Sequence, residues 1–599
     1  MVDIVFIDGT DERSRFSYPT FLGYLFPCVS ILEQKNYTLK ILNLSLYDTL
    51  TDVADALKDV NAKAIGMTTT ADNYHNVKSL THFLKKEFPQ IPIFLGGPQA
   101  SFNDVEVIRE CSCDVIIRHE GDYKLAQLLD YYIYGVGTLD EIKGITFARG
   151  EEVIRNVDSE YLDINELPTP QYAILTEKKY WIIPKDKTDD TLSTFFRFIL
   201  IQNAVFLSSR GCPYNCIFCV EGSRKRSYRE RKMDKVIKDL EYFLEVTKTP
   251  LLTIADSTFT SSPKRIEDFC DAIKELRKKY NFHWFAEGRV NILAKNPELI
   301  DLMHDAGLVS LQVGIESGSD KILKIQKKNI TLEQVRIVAR KVASYNDLEL
   351  SGNFILGNPG ETDETFQETV EFAKELHTLS KFNYHVSFGY LVPYVGTPIR
   401  ETPEKYGITF LHDSFENARL TGYTFPLCKP DNISLEKLHN MFVLMHQELN
   451  AFYVNNIFKL EKKDFDEKVL FYKNTLKGFP PSFDYIFKCF DSLKRYYQYF
   501  EHEDVIKDVE VVRKNQDVYP VRLWDLQTNK EGKWCYSNLR RETIELTDDE
   551  YLLWQFASGA NTVNDVFELM KSMNKAITME SIIEFYIKLY TDFTLLFKY

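Results

Sequence analysis

Apolar positions in the first part of the chain come in short runs. "DIVFID" (3–8), "LKILNL" (39–44), "AKAIGMTT" (62–69), "IPIFLGG" (91–97) and "DVIIRHEG" (114–121) read as buried strands. Between them, "DVADALKDV" and "VKSLTHFLKKEF" carry a helical period. Alternation of this kind predicts a parallel, doubly wound α/β sheet, whose ligands sit beyond the carboxyl ends of the strands. A second alternating region follows. Its strands are expected at "AVFLSS" (204–209), "LLTIAD" (251–256), "HWFAEG" (283–288), "VSLQVGIE" (309–316), "LSGNFILG" (350–357) and "HVSFGYLV" (385–392). Successive βα units point to a full or partial barrel with its chemistry at the carboxyl ends of the strands.

The pattern divides the chain into a Rossmann-like domain at 1–130, a connector at 131–200 with the Pro-punctuated "ELPTPQY" (166–172), and a barrel at 201–400. A mainly helical region follows at 401–515, and a small domain at 516–599. In the last of these, "IELTDDEYLLWQFASGANTVNDVFELM" reads as a Thr-capped helix, a turn and a second Thr-capped helix.

With 599 residues, 44% hydrophobic and 14% aromatic, most of the chain can bury a core. A net charge of −14 disfavours a broad nucleic-acid surface. The basic run Gly222–Lys232 reads as a solvated loop entering a helix. No secretory signal and no spanning apolar run are found, so a reducing, cytoplasmic setting is expected for the ten cysteines.

Three of those cysteines change the picture. "SSRGCPYNCIFC" places Cys212, Cys216 and Cys219 at C-x3-C-x2-C, in the loop after the first barrel strand. Zinc usually takes four ligands, and no second cysteine pair lies nearby. Three thiolates suit a [4Fe-4S] cluster with one iron left open for another ligand. Cys28, Cys111, Cys113 and Cys270 read as incidental or core thiols.

"RGCPYNCIFC" resembles the signature of the radical S-adenosylmethionine (SAM) superfamily, and "ADSTFT" (255–260), "FAEGRVNIL" (285–293), "VGIESGSDKIL" (313–323) and "ILGNPGET" (355–362) are similar to further family segments. The resemblance implies that Cys212, Cys216 and Cys219 hold the cluster and that SAM chelates the open iron. Phe218 would lie near the adenine and Glu316 against the nucleoside or methionyl part. Asp256 and Arg289, at comparable strand ends, would be SAM contacts or structural ion-pair partners. An external electron donor of flavodoxin or ferredoxin type is implied as well.

The preceding sheet is similar to the subfamily that binds cobalamin ahead of the radical site. Its strand-end segments "TTTADN" (68–73), "GGPQAS" (96–101) and "HEGDY" (119–123) offer Thr68, Thr69, Gly96, Gly97, Gln99, Ser101, Glu120 and Gly121 as cofactor contacts. The D-x-H-x-x-G motif of the wider cobalamin fold is absent, and His75 and His119 read as ordinary loop or helix histidines. The last segment resembles the small winged-helix domain that captures leader peptides. The resemblance thus implies a cobalamin-dependent radical SAM enzyme methylating an unactivated carbon of a peptide or natural-product intermediate. Two alternatives stay open. One is non-methylating radical chemistry such as cyclisation, rearrangement, epimerisation or thioether formation. The other is a cobalamin- or metal-binding sensor.

Overall fold

The computed structural model describes residues 1–8, 20–187, 205–223, 228–381, 384–411, 426–457, 463, 504–506, 508–522, 534–537, 542–591 and 595–599. It comprises two compact units, Met1–Phe442 and Val443–Tyr599.

The first unit opens with a sheet of eight strands: β1 (Ile4–Asp8), β2 (Leu39–Asn43), β3 (Ile65–Thr68), β4 (Ile93–Gly96), β5 (Val115–Ile117), β6 (Ile145–Arg149), β7 (Glu152–Arg155) and β8 (Trp181–Ile182). Their spatial order is β7-β6-β5-β4-β3-β1-β2-β8. Strands β5, β4, β3, β1, β2 and β8 run parallel, and β6 and β7 add an antiparallel edge. The near-continuous burial of β1, β3 and β4 explains their uninterrupted apolar runs, because helices cover both faces of such a sheet. The chain leaves β1 toward β2 and returns to β3 on the other side. This reversal opens a crevice at the carboxyl ends of β1 and β3. Residues expected to be a connector in fact complete this sheet at both edges, since β6, β7 and β8 all fall within 131–200.

The second sheet holds six strands in sequential parallel order: β9 (Val205–Phe206), β10 (Leu251–Ile254), β11 (His283–Gly288), β12 (Leu308–Glu316), β13 (Glu349–Leu356) and β14 (Tyr384–Tyr390). It is a partial barrel with helices outside. Trp284, fully buried, packs edge-on against Phe259 and against Phe269 of the helix Pro263–Lys279. That face of β11 therefore meets the helices, and the alternate residues Phe285 and Glu287, partly open, face the concave side. The helices Leu332–Val342 and Asp363–Leu379 start at threonine capping boxes, Thr331 and Thr362, which satisfy otherwise orphaned backbone N–H groups. The strand expected over 204–209 is shorter. The chain leaves β9 at Phe206, and Ser209–Arg210 pairs instead with Arg229–Glu230.

In the second unit, Tyr519–Arg522 pairs antiparallel with Leu595–Lys598, and Trp534–Ser537 with Glu542–Glu545. Helices Asp548–Phe556, Val563–Ser572 and Met579–Thr591 bury a core around Trp554, Tyr586 and Phe597. The two threonine caps expected from sequence are present as capping boxes at Thr547 and Thr562. Residues 464–503 of the region expected to be helical lie outside the described residues. Thr547→Ala removes one cap and should lower the stability of this unit by about 1 kcal/mol. Urea unfolding followed by the fluorescence of the buried Trp554 measures it, and an unchanged midpoint would show that the cap contributes nothing.

Candidate functional site

The loop that follows β9 is fixed before it reaches the first cysteine. Asp256, buried just past the end of β10, accepts hydrogen bonds from the Ser208 and Ser209 amides (2.6 and 3.2 Å) and from their hydroxyls (2.6 and 2.7 Å). Burial raises its pKa, while these hydrogen bonds act against the rise. Arg265 adds a second tie, donating to the Ser208 carbonyl at 2.7 Å and its hydroxyl at 2.9 Å. Gly211 then turns the chain at φ +80°, a region that glycine enters without strain.

Cys212, Cys216 and Cys219 follow, Cys216 buried and the other two partly exposed. Cys212 Sγ lies 3.2 Å from Thr258 Oγ1. The Ile217 amide donates to the Gln326 carbonyl (3.1 Å) and its carbonyl accepts from the Ile399 amide (3.4 Å), which pins the loop to two other segments of the barrel rim. Among the described residues no three His, Cys, Asp or Glu side chains are grouped to hold a single metal ion. A four-iron cluster takes each thiolate on a different iron, so its ligands need not converge on one point. The donor set, three thiols on one glycine-turned loop, fits such a cluster.

Arg289 and Glu316 stand around this loop. The Arg289 guanidinium lies 3.8 Å from the centre of the Tyr214 ring, donates to the Lys328 carbonyl at 2.5 Å and reaches within 3.9 Å of Cys216 Sγ. Its position braces the cysteine loop. Glu316 ends β12 at φ +69°, on a register shift against β13, and its carboxylate accepts from Lys328 Nζ at 2.5 Å. A side chain at Gly314 would lie within 2.5 Å of that same amine, so glycine there is what lets the pair fold over the strand. Phe218 is half-buried against an apolar cluster that includes Ile217 and Leu391, with the Lys328 amine 5.9 Å from its ring centre.

Deeper on the concave side, Glu287, Gln312, Ser351 and His385 stand level across four adjacent strands, β11 to β14. Gln312 donates to Glu287 at 3.0 Å. Burial pushes the Glu287 carboxyl up to about 7, with nearby Lys328 opposing the rise and Glu316 adding to it.

A cavity of about 300 Å³ opens at the carboxyl ends of β1, β3, β4 and β5. Its apolar part includes Phe6, Met67, Phe94 and Ile117, and its polar part Thr68, Ser101, Glu120 and Asp122. An apolar slot with a hydrogen-bonding rim fits a large ligand with a flat apolar group and amide or phosphate substituents, as cobalamin has. Gly97 is required here, at φ +89° and with Thr69 O only 2.5 Å from where a Cβ would stand.

Of the residues expected to touch a ligand, Thr68, Gly96, Gly97, Ser101, Glu120 and Gly121 line the cavity. Thr69 and Gln99 do not. The Thr69 hydroxyl is fully buried, donates to the Gly96 carbonyl at 2.8 Å and accepts from the Ala100 amide at 2.9 Å. It joins two strand ends rather than facing the cavity. Gln99 is buried beneath, in a helix (Gly97–Phe102) that replaces the expected loop. His119 does line the cavity, at φ +62° and edge-on to Phe102, while His75 lies on the helix Tyr74–Glu87.

Sequence reasoning missed Arg210 and Asp122. Arg210 reaches the cavity wall and pairs with Asp122 through two hydrogen bonds, at 2.8 and 2.9 Å. The reading of Gly222–Lys232 as a solvated run fails at Arg229 and Arg231, while Glu230 and Lys232 are exposed. Residues 224–227 lie outside the described residues, but Arg229 pairs with Glu120, and Arg231 is buried against Asp239. The motif itself held the one available signal, a charge two residues before the first cysteine.

The raised Glu287 carboxyl gives a stability prediction. Its folded pKa of about 7 lies above the ordinary 4.5, so the folded chain holds the proton longer and loses stability as pH rises through that window. Glu287→Gln has no such loss and should gain on the wild type by up to about 3 kcal/mol above neutrality. Urea unfolding at about pH 5 and about pH 8 reads the difference, and a pH-independent gap would mean the carboxyl is not raised.

Comparison with known proteins assigns the two regions. The radical SAM superfamily model matches residues 206–373, and the B12-binding domain model matches residues 29–129. An uncharacterized methyltransferase of Pyrococcus horikoshii is 29% identical over 388 residues, 64% of this chain and 78% of that protein. An anaerobic magnesium-protoporphyrin IX monomethyl ester cyclase of Rubrivivax gelatinosus is 25% identical over 364 residues, and the match spans 62% of its length. Among solved structures, the cobalamin-dependent SAM radical enzyme OxsB, with aqua-cobalamin and SAM bound, aligns at 16% identity and a TM-score of 0.58. The alignment covers 99% of this chain and 84% of that one, a likeness of fold. With its cysteine loop on a partial barrel and its cavity on the sheet before it, the chain carries a radical SAM domain behind a B12-binding domain, and the cofactors of these two domains are a [4Fe-4S] cluster, SAM and cobalamin.

Proposed function

We propose that this enzyme methylates an unactivated carbon of a peptide or natural-product intermediate. The observation that carries the reading is the shared wall between the two sites. Arg210, two residues before Cys212, also lines the cavity of the B12-binding domain. Methyl transfer to a carbon radical needs a radical source and a methyl donor side by side, and positioning is the protein's main contribution.

When bound, the cluster with SAM supplies a 5′-deoxyadenosyl radical, and cobalamin supplies a transferable methyl group. Cys212, Cys216 and Cys219 would hold the cluster. The Arg289 guanidinium, 3.9 Å from Cys216 Sγ, would brace the loop that carries them. Glu316 and Lys328 present a preformed ion pair to SAM at the barrel rim. Glu287, near its midpoint at neutral pH, can donate or accept a proton within the barrel. Thr68, Ser101, Glu120 and the backbone at Gly96, Gly97 and Gly121 would hold the cobalamin.

The name of the Pyrococcus relative supports methylation. The cyclase relative supports the second reading, radical chemistry without methyl transfer. A peptide acceptor is supported by the winged-helix resemblance and by the capped helices of the second unit. A reducing, cytoplasmic setting would provide the thiolates and a flavodoxin- or ferredoxin-type reductant. No helix among the described residues is long and apolar enough to cross a membrane.

The test is anaerobic turnover of the cofactor-loaded enzyme with SAM labelled as CD3, and with peptide and small-molecule extracts as acceptors. Methylation predicts a CD3-labelled product alongside both 5′-deoxyadenosine and S-adenosylhomocysteine. An acceptor consumed with 5′-deoxyadenosine alone, and no label gained, would replace the methyltransferase reading with the cyclase or rearrangement one. Gly97→Ala should weaken hydroxocobalamin binding about tenfold, because a Cβ forces a strained backbone into the strand end. Absorbance titration measures this, and wild-type affinity would remove Gly97 from the cobalamin site.

A further inference from the structure

The segment entering the cysteine loop and the loop closing the cavity are clamped together by four charges, two buried and two half-buried. Arg210 binds Asp122 bidentately, with Glu120 at 3.5 Å. Its neighbour in the two-stranded ladder, Arg229, donates to both oxygens of Glu120 (2.5 and 3.0 Å) and to the Leu162 carbonyl (2.7 Å). The Arg229 guanidinium also lies 5.0 Å from the centre of the Tyr161 ring. The side chains of Arg210 and Asp122 are 8% and 2% exposed, and those of Arg229 and Glu120 13% and 10%. Two cations thus meet two anions away from bulk water, where losing one partner strands another buried charge.

This clamp has one end in each cofactor site. Glu120, Asp122 and Arg210 line the cavity. Arg210 is separated from Cys212 only by the glycine hinge, Gly211. Ser208 and Ser209 on the other side are locked by Asp256, so movement of the Arg210 guanidinium passes toward the cysteines. We propose that Arg210 is a positioning residue that couples the two sites, so that filling the cysteine loop with its cluster and filling the cavity with cobalamin strengthen one another. Linkage makes the coupling reciprocal, and such couplings commonly amount to about 5–150-fold in affinity. The proposal rests on the cofactor assignment and is independent of methyl transfer.

The test titrates hydroxocobalamin by absorbance into the full chain, once with its reconstituted cluster and once after anaerobic removal of iron. The expected result is a Kd at least about fivefold lower for the cluster-loaded protein. In Arg210→Lys, a single ammonium cannot make the bidentate contact, so the ratio of the two dissociation constants should fall to near unity. Asp122→Asn should give the same loss of ratio from the cavity side. Equal wild-type affinities with and without cluster overturn the proposal without any variant, as does an Arg210→Lys ratio equal to that of the wild type. Absence of cobalamin binding in both forms overturns it together with the cofactor assignment.

Discussion

Two guanidinium groups closed on two carboxylates hold the cysteine loop of the barrel against the cavity of the preceding sheet. Arg210 and Arg229 come from one short ladder, and Glu120 and Asp122 from one loop. Each sheet could bury its own core without them. Their contribution is to fix where the two cores' strand ends meet, and the proposed reaction depends on that meeting. A buried charge network of this kind adds little to net stability, because desolvation offsets most of the Coulomb attraction. Its use here is geometric, as it excludes arrangements that would leave any of the four charges alone.

Around this clamp, the local devices serve the same end. Asp256 gathers two serine amides and hydroxyls so that the loop begins in one conformation. Glycine at 211 turns it, and glycines at 97 and 314 clear space where the backbone or an ion pair must approach closely. The concave side of the barrel is polar at the level of Glu287, Gln312, Ser351 and His385, although it lies among apolar strands. A purely structural barrel interior would be filled with branched apolar residues. Polar groups in their place suit a substrate whose own hydrogen-bonding groups reach into the barrel.

Much of the fold was legible because buried parallel strands leave uninterrupted apolar runs. Strands β1 to β5, β10 and β11 fall within the segments read from the sequence, and β12, β13 and β14 each begin one residue before theirs. The cysteine spacing was legible for a chemical reason, since three thiols in one loop have few uses. Other features were not. "GGPQAS" looks like a loop because glycine and proline break helices, yet Pro98 sits in the first turn, where its missing N–H costs nothing. Thr69 and Thr68 are indistinguishable in sequence, and only the structure shows that one faces the cavity while the other ties two strand ends. Charge pairing was the least legible feature. Arg210 and Asp122 are 88 positions apart, Arg229 and Glu120 109, and a basic run beside a helix reads as solvated until its partners are placed.

In the proposed arrangement the cluster and the cobalamin occupy neighbouring sites across the Arg210 wall. Electron paramagnetic resonance of the doubly loaded protein tests it most directly, with cobalamin in its Co(II) state and the cluster reduced. Neighbouring sites would give a cob(II)alamin signal broadened or split by magnetic coupling to the reduced cluster, and restored to the isolated form when the cluster is oxidised. A cob(II)alamin signal unaffected by the state of the cluster would contradict it.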